Sequence, residues 1–115
     1  MTTSDLEPPN LARSCHEALL LASLTDGPRH GYQLALEIEE RSEGSFRFNH
    51  GTLYPILHKL EASGFIEGTW TEPKGKRKRR QYALTEAGHE HLETLCSAWS
   101  AFFVSLFNVI GRSDS

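Results

Sequence analysis

The stretch "FIEGTWTEPKGKRKRRQYAL" (residues 65–84) decides the fold, because two runs with strand periodicity flank a segment that contains turn residues. Ile66 and Trp70 share one face of the first run, and Tyr82 and Leu84 share one face of the second. A period of two residues is typical of β-strands, and about eight residues, including a proline and a glycine, join the runs. We therefore predict a β-hairpin with a long loop.

The loop of this hairpin concentrates positive charge in a chain whose net charge is −3, since six of its twelve Lys and Arg residues fall between positions 74 and 80. Such residues displace counterions from a phosphate backbone, and acidic surroundings confine the positive field to one face. A charged loop that only confers solubility is the alternative. The residues predicted to contact phosphates are Lys74, Lys76, Arg77, Lys78 and Arg79. Arg80 shares the strand face of Tyr82, so we expect it to pack against the domain.

Helical periodicity precedes the hairpin in "NHGTLYPILHKLEASG" (residues 49–64), where Leu53 and Leu57 belong to one apolar face. Pro55 removes a backbone donor, so we expect a regular helix only from about Thr52, or a distorted first turn.

The polar N-terminal part of this helix is predicted to enter the major groove of double-stranded DNA, as in a helix-turn-helix. Hydroxyl groups can bind phosphates and an asparagine can read adenine. The polar residues predicted to lie nearest the duplex are Asn49, His50, Thr52, Tyr54, His58 and Lys59. For any single residue an ordinary structural role stays open, such as packing of Tyr54 in the core.

Two more helices are predicted upstream. The first begins near Leu11 and ends at "TDGP" (residues 25–28), and its apolar residues on several faces imply broad burial. The second runs from about His30 to Ser42. We expect a disordered tail at residues 1–9 and a winged helix-turn-helix domain at residues 10–84, because three helices followed by a hairpin have the order of that fold.

A long helix is predicted to follow the hairpin over residues 85–111, with Thr85 as its N-cap and a frayed tail at residues 112–115. Its apolar residues are spaced alternately by three and four, which is a heptad seam. The predicted interface consists of Leu92, Leu95, Trp99, Phe102, Leu106 and Val109, with Phe103 on a neighbouring stripe. A helix of about 39 Å is too long for so small a domain to cover, so we expect a two-fold homodimer. Folding back onto its own domain is the alternative.

Three aromatic residues of the seam, Trp99, Phe102 and Phe103, allow two interpretations. They either fill the dimer core or line a shared cavity in which a small planar aromatic effector stacks. The sequence leaves both open.

Other function classes are disfavoured by what the sequence lacks. The N-terminus is polar and acidic, unlike a signal peptide, and we count no apolar run of the ~18 residues that a membrane span needs. Cys15 and Cys96 are far apart, and His89 and His91 diverge on a helix. No metal-ligand or nucleophile motif is visible. We expect a cytoplasmic protein that is not an enzyme and binds no cofactor, metal or membrane; a metal sensor assembled across a dimer stays open.

Four motifs in order carry a resemblance to a known family: "GPRHGYQLALEI" (residues 27–38), "GTLYP" (51–55), "LEASGFI" (60–66) and "YALTEAG" (82–88). Together they resemble the PadR family of transcription factors. The resemblance implies a winged-helix homodimer that usually represses by binding promoter DNA. By position, Gly31 and Tyr32 open the second helix, Thr52 and Tyr54 lie on the DNA-reading helix, and Tyr32 joins the DNA-binding set.

The single helix after the hairpin matches the short subfamily. In that subfamily the last helix packs against the partner subunit, and some members bind flat aromatic drugs between the subunits. We expect a homodimeric repressor that binds a pseudo-palindromic operator and is released by a small planar ligand. The alternative is a winged-helix module that binds an acidic protein partner.

Overall fold

The computed structural model of the chain describes residues 8–71 and 78–111, with side chains from Arg13 onward. Within these residues the elements are α1 (Pro8–Ser23), β1 (Arg29–His30), α2 (Gly31–Arg41), α3 (His50–Ala62), β2 (Ile66–Thr71), β3 (Arg79–Leu84) and α4 (Glu86–Ile110). The predicted mainly helical fold with a β-hairpin is confirmed. The expectations for residues 1–7, 72–77 and 112–115 lie outside the described residues.

The hydrophobic core joins α1, α2 and α3 to the inner face of the hairpin. Leu20, Leu21 and Leu24 of α1 are all buried, which confirms the broad burial expected of that helix. The other buried apolar residues are Leu34, Ile38, Leu53, Leu57, Leu60, Ile66, Tyr82 and Leu95. This core fixes α3 against the base of the hairpin.

The hairpin belongs to a three-stranded antiparallel sheet with the order β1-β3-β2. Ile66 pairs with Leu84 at its base, and Thr71 pairs with Arg79 at its far end. Strand β1, in which His30 pairs with Gln81, was not predicted. Two residues are too few to show a period, so only the partner strand defines β1.

The start of α1 differs from the expected boundary. The helix begins at Pro8 rather than near Leu11, so positions 8 and 9 belong to the helix and not to a tail. Proline is tolerated in the first turn because the amides there have no intrahelical acceptor.

The start of α3 also corrects the sequence analysis. The helix begins at His50 and contains Pro55 as an interior residue, whereas we expected either a regular helix only from about Thr52 or a distorted first turn. The proline leaves the carbonyl one turn earlier without its usual donor. The N-cap stabilises the first turn, because the side-chain oxygen of Asn49 accepts a hydrogen bond of 2.9 Å from the amide of Thr52.

The first half of α4 is attached to its own domain. Thr85 caps the helix, accepting from the Gly88 amide at 3.0 Å. The ring of His91 stacks on Phe65 with 4.0 Å between centroids, and its Nε2 lies 2.8 Å from a carboxylate oxygen of Glu17 on α1. These contacts fix the direction in which the rest of α4 projects.

Two residues of the dimer seam predicted on α4 pack within the single chain. Leu95 is only 8% exposed within its own chain, and Leu92 packs against the same core. Both side chains therefore already serve the fold of one chain, since α1 packs against the start of α4. The largest uncovered positions of the seam lie after Trp99, with Leu106 39% and Val109 86% exposed.

One compositional expectation needs correction. Helix α4 is long and apolar enough to cross a membrane, judged by length and composition alone. The serines and Asn108 in its second half interrupt the apolar run but carry no charge, so the mean hydropathy of the helix stays high enough for a membrane span. The same composition suits a helix that packs against protein.

Candidate nucleic-acid interface

An open cleft of about 780 Å³, here named the wing cleft, lies between α3, the start of α2 and the hairpin. Its described lining residues are His30, Gly31, Tyr32, His50, Tyr54, His58, Trp70, Lys78, Arg79, Arg80 and Tyr82.

The wing cleft brings together half of the residues predicted to bind DNA: Tyr32, His50, Tyr54, His58, Lys78 and Arg79. Asn49, Thr52 and Lys59 belong to α3 or its cap but do not line the cleft. Lys74, Lys76 and Arg77 lie outside the described residues. Five lining residues were not predicted as site residues: His30, Gly31, Trp70, Arg80 and Tyr82.

The charge of the wing cleft is positive. Lys78, Arg79 and Arg80 line it, and the described lining residues include no Asp or Glu. Glu61 on α3 forms an ion pair with Arg80, which is partly buried as the sequence predicted. Lys78 and Arg79 are exposed.

Tyr32 and Arg79 tie the hairpin to the start of α2. A guanidinium nitrogen of Arg79 donates to the Tyr32 hydroxyl over 3.1 Å, and the guanidinium carbon lies 5.1 Å from the centre of the ring. A cation–π contact and a hydrogen bond to one tyrosine limit the orientations open to the arginine. The first residue of β3 is therefore held beside the helix-turn-helix.

His30 makes a second connection between these elements. It is the N-cap of α2, and its Nδ1 lies 3.0 Å from the side-chain oxygen of Gln33. Its Nε2 lies 3.0 Å from the Thr71 hydroxyl, which in turn donates to the carbonyl of Arg79 over 3.2 Å. The imidazole thus links the cap of one helix to both strands of the hairpin.

Asn49 has a structural role that limits its expected reading of adenine. Its side-chain oxygen accepts the capping hydrogen bond from Thr52. Bidentate recognition of adenine uses both the oxygen and the nitrogen of an asparagine amide. While the cap is intact, the Thr52 amide uses one of the two acceptor sites of that oxygen and fixes the orientation of the side chain.

Tyr54 has the core-packing role that the sequence left open, and it also faces the wing cleft. Its ring packs against the hydrophobic core and also lines the wing cleft. It lies so close to Gly31 that a Cβ atom there would be 2.9 Å from the Tyr54 hydroxyl. The absence of a side chain at Gly31 therefore lets α2 and α3 approach at the bottom of the cleft.

Trp70 and Arg80 were missed as site residues, although the alternation placed Trp70 on the face of Ile66 and Arg80 on the face of Tyr82. Trp70 is 64% exposed. Strand periodicity shows which residues share a face, but it does not show that this end of the face extends beyond the core. The sequence feature that could have identified Trp70 as a site residue is its place just before the basic run.

A second aromatic group lies on α4. The Trp99 ring is 5.8 Å from that of Phe102 and 5.5 Å from that of Phe103, measured between centroids. Within the described part of the chain, the buried indole nitrogen of Trp99 has no hydrogen-bond partner. Phe103 is 41% exposed, so the group reaches the surface of the single chain.

Comparisons with known proteins agree with this geometry. The sequence model of the transcriptional regulator PadR-like family matches residues 20–94. Transcriptional regulator Rv3488 of Mycobacterium tuberculosis is 38% identical over 73 residues, which are 64% of this chain and 64% of that protein. Uncharacterized protein X of Lysinibacillus sphaericus is 28% identical over 91 residues, 79% of this chain and 84% of that one.

A crystal structure of a PadR family transcriptional regulator from Eggerthella lenta has the same fold. Its TM-score is 0.78 at 23% identity, over 91% of this chain and 89% of that chain. The chain spans a little under two thirds of the mycobacterial regulator. The family match covers α2, α3, the hairpin and the start of α4, which are the elements that form the wing cleft. The chain belongs to the PadR-like family of transcriptional regulators, and it is a DNA-binding regulator rather than an enzyme.

Proposed function

We propose that this protein is a repressor that binds a pseudo-palindromic operator as a homodimer, with α3 of each subunit in the major groove. The observation that carries the proposal is the wing cleft, in which cationic and aromatic side chains from α2, α3 and the hairpin converge. A repressor of this kind acts by occupying promoter DNA.

The hairpin and α3 have different roles in this proposal. Exposed cations such as Lys78 and Arg79 give affinity that does not depend on sequence, because phosphates are the same everywhere along DNA. Sequence selection then falls to side chains at the N-terminal end of α3, among them His50 and Thr52.

The homodimer rests on the exposed second half of α4. Phe103, Leu106, Val109 and Ile110 are all more than one third exposed in the single chain. A contiguous apolar surface of this kind marks an interface. A two-fold dimer through α4 would present two copies of α3 to successive turns of one DNA face, about 34 Å apart.

The experiment is a titration of the DNA upstream of the protein's own gene, and of a shuffled sequence of equal length, at several salt concentrations. We expect tighter binding to the upstream DNA and a linear fall of log affinity with log salt on both. Equal affinity for the two sequences would refute operator recognition. Absence of DNA binding together with capture of an acidic protein would favour the protein-interaction alternative.

A role for a small planar effector is a second proposal, and the unpartnered indole nitrogen of Trp99 favours it. A buried donor without an acceptor is costly, so an acceptor from a ligand or from the partner subunit would stabilise the site. Flat aromatic compounds would stack among Trp99, Phe102 and Phe103. The test is quenching of Trp99 fluorescence by such compounds in a Trp70→Phe background, with release of operator DNA as the second readout. Absence of both effects would assign these rings to the dimer core alone.

A further inference from the structure

We propose that Trp70 is a further DNA contact, whose indole packs against the sugar–phosphate wall of the groove, and that Arg80 and Glu61 hold it in position. This inference rests on the proposed DNA binding by the wing cleft. It adds an apolar contact to an interface otherwise composed of charged and polar groups.

The position of Trp70 favours this role. It is the penultimate residue of β2, it lines the wing cleft, and it is 64% exposed. Lys78 and Arg79 line the same cleft. Phosphates held by these two cations would bring the adjoining deoxyribose rings to the indole.

Arg80 orients the indole from one side. Its guanidinium carbon lies 5.2 Å from the centre of the Trp70 ring, a distance at which a cation–π contact is attractive. The same guanidinium donates to the carboxylate of Glu61 on α3, and both side chains are partly buried. Arg80 therefore links the orientation of Trp70 to the helix that is proposed to read the DNA.

The backbone makes room for this arrangement at Gly68, which is two residues before Trp70 on the same strand face. A Cβ atom at Gly68 would lie 2.6 Å from Nε of Arg80. Any larger residue would displace the guanidinium from its place between Glu61 and Trp70. The absence of a side chain at Gly68 therefore leaves room for the Arg80 guanidinium between Glu61 and Trp70.

A contact of this type has a distinctive signature in binding experiments. An indole displaces no counterions, so its loss lowers affinity without changing the salt dependence. Sugars do not vary with sequence, so operator and shuffled DNA should be affected equally. Replacing the cations of the wing should change the slope of log affinity against log salt. Replacing residues of α3 should change the preference for operator over shuffled DNA.

The first experiment compares Trp70→Ala, Trp70→Phe and wild type on operator and shuffled DNA across a salt series. We expect Trp70→Ala to lose about tenfold in affinity on both DNAs with an unchanged slope, and Trp70→Phe to retain most of the affinity. Leu36→Ala is the matched control, because Leu36 is 60% exposed on α2 and does not line the cleft. DNA should also quench tryptophan fluorescence more in the wild type than in Trp70→Phe.

The second experiment tests whether Arg80 and Glu61 hold Trp70 in position. Neutralising an acidic residue near DNA should by itself tighten binding, yet we expect Glu61→Gln to weaken it about threefold because Trp70 loses its orientation. Glu67→Gln removes the same charge from an exposed position of β2 and should not weaken binding. Tighter binding by Glu61→Gln would refute the claim that Arg80 and Glu61 hold Trp70 in position.

The outcomes separate this inference from the function on which it rests. A wild-type protein that binds neither DNA refutes the proposed function. A wild-type protein that binds DNA normally, with Trp70→Ala equal to it in affinity and in fluorescence response, refutes only the contact by Trp70.

Discussion

Replacing Leu106 should weaken the dimer by an amount that follows from its exposure. The side chain is 39% exposed in the single chain, and full burial of a leucine contributes about 1.5–3 kcal/mol. Covering the exposed part therefore contributes about 1 kcal/mol per subunit, or about 2 kcal/mol for the two copies in a two-fold interface. Leu106→Ala should raise the dimer dissociation constant about thirtyfold. Leu106→Glu adds two unpaired buried carboxylates, so it should be monomeric at micromolar concentration.

Sedimentation equilibrium measures this dissociation constant directly. Val104→Glu is the matched control, because Val104 is 54% exposed but lies about 160° around the helix from Leu106. We expect that variant to remain dimeric. A dimer unaffected by Leu106→Glu would refute the seam. A wild-type chain that is monomeric and floats with lipid vesicles would assign the apolar face of α4 to a membrane.

Three further predictions concern the wing, α3 and the core. Four cationic wing residues are replaced together by alanine: Lys76, Arg77, Lys78 and Arg79. The slope of log affinity against log salt should become shallower by about 3.6 per wing, and an unchanged slope would exclude phosphate contacts by the wing. Thr52→Ala and Tyr54→Phe should each weaken operator binding about fivefold in a titration, and the assignment of α3 is wrong if neither does. Burial, followed by the charge of Glu61, raises the pKa of Tyr82 above its ordinary value of 10.0, although Arg80 opposes the shift. The folded state therefore keeps this proton longer than the unfolded state does, so stability is full below about pH 10 and falls as pH rises through the folded pKa. Denaturant titrations should show a smaller alkaline loss for Tyr82→Phe, and an equal loss would contradict the shift.

The hairpin and the long helix could be predicted because their patterns are local. Residues two apart on a strand, and three or four apart on a helix, report a buried face without knowledge of the rest of the chain. Thr85 was recognised as an N-cap for the same reason, since the cap and the amide that donates to it lie within one turn.

Features that depend on distant partners could not be read in this way. The short strand at Arg29 and His30 exists only because β3 lies beside it. Leu95 continues the heptad spacing of α4, yet contacts with its own domain, including α1, bury it. Helix α3 continues through Pro55 because the Asn49 cap and the packed face of the helix outweigh the loss of one hydrogen bond.

The candidate site likewise combines features that local patterns predict with contacts between distant residues that they do not predict. The basic run drew attention to the wing, and the motif on α3 drew attention to Tyr54. The wing cleft itself arises from contacts such as Arg79 with Tyr32, which are 47 residues apart in sequence. Trp70 and Arg80 join the site through the ion pair with Glu61, and no local pattern indicates that pair.

Footprinting of the DNA upstream of the protein's own gene tests the central claim most directly. A dimer that places one α3 in each of two successive major grooves should protect two half-sites of inverted sequence, with centres about 10 base pairs apart. Protection should saturate at one dimer per site. Protection without any preferred position, or of a single half-site by a monomer, would contradict the account.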